Sequence, residues 1–246
     1  MWSRKQLKTR AKGVLKRNYW KAFLVSLIIA FVGGNKYGGS FNFRFAKDDI
    51  PNFMFGHNGD FFFEFLFVLI PIISIIIVGG ICLRIFLGYP LEVGGRCFFL
   101  KSAEGNDNLD YIGYAFKNGR YINIIKGMFY KGVLVFLWTL LLIIPGIVKS
   151  YAYRMVPYLL SNNPYLGYKR AVELSNEMTN GEKLDMFVLD LSFLGWYLLG
   201  ALALGIGVLF VMPYENATKA ELYLSLRKKA LDNGLCSYEE LNMSKN

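Results

Sequence analysis

Ionisable side chains in apolar surroundings are the first residues of this sequence that could do chemistry. Six of them lie inside or beside long apolar runs: Arg84, Glu92, Arg96, Arg154, Asp185 and Asp190. If those runs cross a membrane, such charges are costly and usually mark an ion pair, a ligand site or a pathway. We expect Glu92 to pair with one of its two neighbouring arginines. Arg154 would pair with Asp185 or Asp190, and the alternative is that all six line the membrane interface, where a charge costs little.

Residue types suited to catalysis or metal binding do not cluster elsewhere in the sequence. The single histidine, His57, stands in a Gly-, Asn- and Phe-rich segment without a partner for acid–base chemistry. Asp107 and Asp110, in the segment GNDNLD, are typical of a solvated turn, although they could bind a metal–phosphate group. The cysteines are odd in number and far apart: Cys82, Cys97 and Cys236. We therefore expect no enzyme, no metal site and no cofactor.

The composition is unusually apolar. Of the 246 residues, 54% belong to the set AVILMFWYC and 19% are charged, against about 25% charged in soluble globular proteins. These values exclude a disordered chain and are not typical of a soluble enzyme. The formal net charge is +10, and eight of the 28 Lys and Arg residues precede residue 22, next to an apolar run. That position indicates a membrane-topology signal rather than a nucleic-acid surface.

Four charge-free apolar regions predict an integral membrane protein. They are Ala22–Asn35 with 14 residues, Phe65–Leu83 with 19, Gly132–Val148, and Leu191–Tyr214 with 24. A membrane-spanning helix needs about 20 predominantly apolar residues, so the second region is the clearest span and the first is short. A cleavable signal peptide is the alternative for the first region, although its basic segment would be unusually long.

The number of crossings depends on a weak internal repeat. Three helix-like stretches end in a polar or glycine stop before an apolar run, at Asn18, Asn118-Gly119 and Asn180-Gly181. Such residues suit a left-handed helix C-cap. If the three units are equivalent, they should begin on the same side of the membrane, which requires six crossings rather than four. Three ordinary helix ends are the alternative interpretation.

Six crossings require two additional turns within the apolar regions. One would lie at Pro145-Gly146, and the other between Gly200 and Gly205. With only four crossings, the loop Lys149–Asp190 would be external although it carries five Lys and Arg residues. The positive-inside rule therefore favours six crossings, and both arrangements place the N- and C-termini in the cytoplasm.

The domain organisation follows from these segments. We predict one integral membrane domain over 1–246, with a basic amphipathic cytoplasmic helix at 1–18, an extracytoplasmic loop at 35–64, and a cytoplasmic C-terminal helix and tail at 215–246. In the first helix an apolar face formed by Leu7, Ala11, Val14 and Leu15 is surrounded by cations. This pattern is typical of a helix lying against anionic lipid headgroups.

Three stretches resemble an integral membrane family of bacteria known as domain of unknown function 975. They are LKxxAKxxLKxNYWKAxLVSLI at Leu7–Ile28, the segment Arg120–Leu160, and the segment Phe187–Arg227. The resemblance implies a multi-pass plasma-membrane protein and no established activity, so it identifies no catalytic residue. A more distant likeness, through Pro145-Gly146 and Ala171–Ser175, is to bacterial membrane proteins with an apolar run, Pro-Gly, a short span and A-x-x-x-S, and it supports the six-helix count.

We therefore predict an all-α polytopic membrane protein in the bacterial plasma membrane. Its expected function is that of a non-enzymatic accessory or scaffold protein that binds lipid or another membrane protein, with no nucleic-acid partner. A small transporter or exporter component that uses the buried charges is the alternative. A membrane enzyme acting on lipids is a third hypothesis, in which His57, Asp107 or Asp110 would be essential.

Overall fold

The described part of the chain is helical. The computed structural model describes residues 2–33, 59–117, 119–202 and 205–243. Within these ranges the α-helices are α1 Arg4–Phe31, α2 Gly59–Leu83, α3 Tyr89–Ala103, α4 Tyr121–Leu141, α5 Ile143–Ala152, α6 Val156–Asn162, α7 Tyr168–Met178, α8 Lys183–Leu202 and α9 Gly207–Asp232. A π-helical segment, Arg84–Gly88, joins α2 to α3, and a 3-10 helix spans Leu109–Phe116. No described residue lies in a β-strand, which confirms the all-α prediction.

Three helical stretches are long and apolar enough to cross a membrane. They are Leu69–Ala103 with 35 residues, Tyr121–Leu141 with 21, and Lys183–Leu202 with 20. The first combines the C-terminal part of α2, the π-helical segment and α3 in one continuous rod. These lengths meet the requirement of about 20 residues for a spanning helix. Length and composition therefore give three candidate spans among the described residues, compared with the six crossings predicted.

The turn between α4 and α5 lies three residues before the position predicted for it. Leu142 has extended backbone angles (φ −156°, ψ 136°) and separates the two helices. Pro145 instead lies in the first turn of α5, where a proline is tolerated because its missing N–H would have no partner within the helix. Gly146 allows close packing, since a Cβ atom there would overlap Thr139 of α4.

The last apolar region is divided into two helices, as predicted. α8 ends at Leu202, α9 begins at Gly207, and Gly205 between them is left-handed with φ +76°. The backbones then contact each other directly. A Cβ atom on Gly200 would lie 2.7 Å from the carbonyl carbon of Gly207. Small residues that allow such close approach are common where membrane helices pack.

This contact makes Gly200 sensitive to substitution. We expect Gly200→Ala to destabilise the protein by about 1–3 kcal/mol, because the backbone of α9 cannot move aside as a side chain could. Gly195→Ala is the matched control, since nothing lies within 4 Å of a Cβ atom at that position of the same helix. Thermal unfolding of both variants in one detergent measures the difference in their Tm values. Equal Tm values would contradict the close backbone contact between Gly200 and Gly207.

The apolar face of the N-terminal helix is covered by protein. Leu7, Ala11, Val14 and Leu15 are all buried, and α1 packs along α9. The face that we expected to lie against lipid is therefore part of the helical core. Most cations on the other face of α1 are exposed, and their contact with anionic headgroups stays a prediction.

Two of the three predicted left-handed helix ends are confirmed. Gly119 has φ +67° and Gly181 has φ +78°. The prediction is wrong at Asn18, which has φ −143° and ψ 40° and forms a kink within α1. The physical reason is that glycine enters the left-handed region at no steric cost, whereas a residue with a Cβ atom does so less readily. The chain bends at Asn18 and continues as a helix to Phe31.

Two predicted segment boundaries differ from the observed helix ends. Most of the predicted loop 35–64 lies outside the described residues, but its last part is helical because α2 already begins at Gly59. At the C-terminus no break occurs at residue 215. α9 continues through Pro213 to Asp232, so the predicted membrane segment and the C-terminal helix are one rod.

Four polar parts of the chain contact one another at one end of the molecule. The bonds that join them are Arg17 Nη2 to the carbonyl of Ser102 (3.1 Å), Arg227 to Glu104 (3.0 Å), Lys229 to Glu182 (2.5 Å) and Arg170 to Glu240 (2.6 Å). They connect the N-terminal half of α1, the α3 end, the residues between α7 and α8, and the C-terminal residues. These four parts therefore lie on one side of any membrane that the helices cross.

Two glutamates in this polar end have pKa values shifted in opposite directions. Burial raises the pKa of Glu221, and Arg10 at 4.0 Å offsets this only in part. Burial also acts to raise the pKa of Glu104, but hydrogen bonds from Lys101 and Arg227 outweigh it and hold this pKa below its ordinary value of 4.5.

The two shifts predict opposite effects on stability. Glu221 has a raised pKa in the folded state, so its ionised form destabilises the fold at higher pH. This destabilisation disappears as the pH falls through the raised pKa towards 4.5, the ordinary pKa of a glutamate. Glu104 has a lowered pKa in the folded state, so its ionised form stabilises the fold above pH 4.5. This stabilisation is lost as the pH falls through the lowered pKa. At neutral pH we expect Glu221→Gln to raise the Tm and Glu104→Gln to lower it. Each substitution should change the free energy of unfolding by about 1 kcal/mol or less. Thermal unfolding at neutral and acidic pH tests this, and shifts of the same sign would contradict it.

Candidate functional site

Arg154 and Asp190 form a bidentate ion pair. Arg154 Nη1 donates to Oδ1 of Asp190 at 3.0 Å, and Nη2 donates to Oδ2 at 2.6 Å. The side chains are only 10% and 5% exposed, and the hydroxyl of Tyr151 also donates to Oδ2, at 2.9 Å. Asp185 is exposed in the first turn of α8 and does not take part. Of the two predicted partners for Arg154, the structure therefore selects Asp190.

The interruption between α5 and α6 positions Arg154. Ser175 of α7 accepts a hydrogen bond from the backbone N–H of Met155 (3.1 Å) and donates to the carbonyl of Ala152 (2.8 Å). These bonds satisfy backbone groups that the helix break would otherwise leave buried without partners. Ser175 and Ala171 are both fully buried. The A-x-x-x-S pattern of the sequence therefore marks the face of α7 that supports this turn.

The second predicted ion pair is also present. Arg84 Nη2 lies 2.7 Å from Oε2 of Glu92, and Nη1 of Arg84 donates to the carbonyl of Val32 at the end of α1. Gly88 makes room for this arginine, because a Cβ atom there would lie 2.9 Å from the Cδ atom of Arg84. The contact with Arg84 confirms the prediction that Glu92 pairs with a neighbouring arginine.

Arg96 donates a buried hydrogen bond to Asn216. Its Nη1 atom donates to Oδ1 of Asn216 at 2.7 Å, and the amide of Asn216 donates to Ser26 at 3.0 Å. The guanidinium also lies 5.6 Å from the ring centre of Tyr158. This buried chain of bonds connects α3, α9 and α1.

Most of these charged side chains line one cavity of about 320 Å³. Arg84, Glu92, Arg96 and Arg154 line it, and Asp190 lies behind Arg154. Five of the six predicted charges therefore belong to one site, which the sequence could not reveal because they come from distant parts of the chain.

Sequence reasoning missed two lysines of this cavity. Lys219 lines the wall and pairs with Glu215, which also accepts a hydrogen bond from the hydroxyl of Tyr197. Lys131 projects from α4 and forms no hydrogen bond or ion pair with any described residue. The available signals were the i, i+4 spacing of Glu215 and Lys219 and the position of Lys131 just before the third apolar region.

The described wall of the cavity carries more positive than negative charge. Its cations are Arg84, Arg96, Lys131, Arg154 and Lys219. Three of them pair with the carboxylates of Glu92, Asp190 and Glu215. Lys131 has no carboxylate within 4 Å among the described residues. The five cations and the three carboxylates leave a formal excess of positive charge, an arrangement that can attract an anion.

The cavity adjoins exposed apolar surfaces. In α4 a mostly exposed apolar run begins at Val133, two residues after Lys131. In α5 the exposed apolar residues end at Val148, before Arg154. Exposed apolar surface therefore lies beside the charged cavity on both helices.

The other residues considered for chemistry form no second site in the described structure. Asp110 lies in a turn in which Asn108 accepts a hydrogen bond from its backbone N–H at 2.9 Å. His57 lies outside the described residues. Cys82 is exposed, whereas Cys97 and Cys236 are buried thiols. Within the described ranges, no group of three or more His, Cys, Asp or Glu side chains could hold a metal ion.

Comparison with known proteins finds similarity to one family and gives no activity. No curated protein and no solved structure matches this chain. Residues 124–230, a little under half of the chain, match the family model described as Protein of unknown function (DUF975), which confirms the resemblance to that family.

Proposed function

We propose that this protein is a non-enzymatic accessory protein of a membrane that binds an anionic, phosphate-bearing ligand in the basic cavity. The observation that carries the proposal is the excess of cations on the described wall, and above all Lys131. Guanidinium and ammonium groups bind phosphate through charge-assisted hydrogen bonds. A partly buried ammonium group that makes no hydrogen bond and no ion pair within 4 Å is unfavourable, and a bound anion reduces that penalty.

The test is the binding of glycerol 3-phosphate to the purified protein in detergent, measured by isothermal titration calorimetry. We expect Lys131→Gln to weaken binding by roughly tenfold or more, because a charge-assisted hydrogen bond is lost. Lys126→Gln is the matched control, since this exposed lysine lies on the same helix and outside the cavity. Equal affinities for the two variants, or no binding by the unmodified protein, would overturn the proposal.

We also propose that the protein crosses the bacterial plasma membrane six times with both termini in the cytoplasm. The ion pairs Arg170–Glu240 and Glu182–Lys229 support this arrangement. With four crossings, residues 149–190 and the C-terminus would lie on opposite sides of about 30 Å of hydrocarbon, which no ion pair can bridge. The helix breaks at Leu142 and before Gly207 supply the additional turns, and the exposed cations of α1 would then face anionic cytoplasmic headgroups.

Cysteine labelling tests this topology. After replacement of the three native cysteines, a single cysteine at Asn180 is exposed between α7 and α8. We expect an impermeant thiol reagent to label it only after the cells are opened. A cysteine at Lys12, on the exposed face of α1, should behave identically, and one at Ser40, in the predicted external loop outside the described residues, should label in intact cells. Labelling of Asn180→Cys in intact cells would contradict six crossings.

A transporter or exporter component is the second candidate function. The observation in its favour is the ion pair Arg154–Asp190 beside a helix interruption, since broken helices and buried charges often form transport sites. The test is charge movement in proteoliposomes after a jump in phosphate concentration. We expect no signal under the accessory hypothesis. A signal that the double variant Arg154→Met/Asp190→Leu abolishes would favour transport instead.

A further inference from the structure

An apolar groove adjoins the basic cavity. It has a volume of about 580 Å³ and lies between α2 and α4. Gly80 lines it together with the apolar side chains of Ile77, Ile81, Phe129, Val133 and Phe136. Three residues, Arg84, Tyr89 and Gly132, line both the groove and the cavity. The two spaces therefore share a wall in which the guanidinium of Arg84 stands at the boundary between apolar and charged surfaces.

We propose that the two spaces together bind one anionic glycerophospholipid, with its phosphate in the cavity and an acyl chain in the groove. This inference rests on the proposed anion site and names its ligand class. The two volumes each fall within the range of about 300–1,000 Å³ that is typical of small-molecule sites. Polar and apolar surfaces adjoin in the site as they do in such a lipid.

The groove favours a lipid over a free phosphate compound. Ile77 and Ile81 of α2 and Val133 and Phe136 of α4 belong to the exposed apolar surfaces of two candidate membrane spans. A lipid acyl chain can therefore reach the groove from the side of the bilayer without crossing water. Inside a bilayer the chain gains little by exchanging lipid neighbours for apolar side chains. The phosphate must then supply the affinity, while the groove selects a ligand that carries a chain.

Filling the groove tests the inference separately from the anion site. Gly80→Phe places a large side chain in the groove, and no atom lies within 4 Å of a Cβ atom at that position. Gly79→Phe is the matched control, since its Cβ atom is equally unobstructed and Gly79 does not line the groove. The two probes are dioleoylphosphatidylglycerol and glycerol 3-phosphate, with dioleoylphosphatidylcholine as the zwitterionic control. Binding to the detergent-solubilised protein is followed by native mass spectrometry and calorimetry.

We expect Gly80→Phe to weaken binding of phosphatidylglycerol by roughly tenfold and to leave binding of glycerol 3-phosphate unchanged. Gly79→Phe should change neither affinity, and phosphatidylcholine should bind less tightly than phosphatidylglycerol. Equal lipid affinities of the two phenylalanine variants, together with intact glycerol 3-phosphate binding, would overturn the lipid inference and leave the anion site standing. Loss of the difference between Lys131→Gln and Lys126→Gln would instead remove the anion site on which the inference rests.

Discussion

Replacement of Arg154 by methionine is expected to lower the free energy of unfolding by about 3–5 kcal/mol, the typical loss when one partner of a buried ion pair is removed. The reason is the carboxylate that remains. Asp190 is 5% exposed, and among the described residues it would keep only the hydrogen bond from Tyr151. Thermal or denaturant unfolding in one detergent measures the loss relative to the unmodified protein.

The double variant Arg154→Met/Asp190→Leu is the control for this prediction. Replacing both members of a buried pair by apolar residues of similar volume is often neutral or stabilising, because neither charge is left without a partner. We therefore expect the double variant to recover most of the stability lost in Arg154→Met. If both variants are equally unstable, the side-chain shape rather than the uncompensated charge is responsible. If Arg154→Met is as stable as the unmodified protein, the pair is not buried as described.

Replacement of Gly94 by alanine is expected to destabilise the protein by about 3 kcal/mol, at the upper end of the range for overpacking. Gly94 lies in α3 where the 3-10 helix crosses it, and a Cβ atom would overlap the carbonyl oxygen of Ile112. A backbone oxygen cannot rotate away as a side chain can, so the two elements must separate. The Tm of the variant in detergent measures the effect.

Gly13→Ala is the control for Gly94→Ala and is expected to have the opposite sign. Gly13 is an exposed residue within α1, and nothing lies within 4 Å of a Cβ atom there. Alanine in a helix interior is favoured over glycine by about 0.5–1 kcal/mol, because glycine loses more backbone freedom on folding. If Gly94→Ala shifts the Tm no more than Gly13→Ala does, the 3-10 helix is not packed against α3 as described.

The charge pairs show how far sequence reasoning extended into the site. The pairing of Glu92 with an arginine could be predicted because Arg84 precedes it by eight residues and Arg96 follows it by four, so a cation lies near it on either side in the sequence. The choice of Asp190 over Asp185 for Arg154 could not be predicted. It depends on how α8 is rotated against the break between α5 and α6, and no local pattern in the sequence determines that rotation.

The helix breaks also show which features local sequence patterns could predict and which they could not. The positive φ angles of Gly119 and Gly181 followed from the residue type, since only glycine adopts them at no steric cost. The turn near Pro145 was predicted three residues too late, because a proline is compatible both with a turn and with the first turn of a helix. Gly146 was assigned to that turn, whereas its role is to let α5 approach Thr139 of α4.

The sequence alone therefore determined the class of protein: an all-α chain with long apolar runs, basic ends and charges placed beside those runs. These properties depend on composition and on short-range spacing. Only the tertiary structure decided that Lys131, Arg96 and Lys219 face one cavity, and that this cavity adjoins an apolar groove. Residues from α2, α3, α4 and α9 come together there through the packing of whole helices. The spacing of residues along one segment carries no information about contacts with another, so the charge balance of the cavity is a property of the folded molecule.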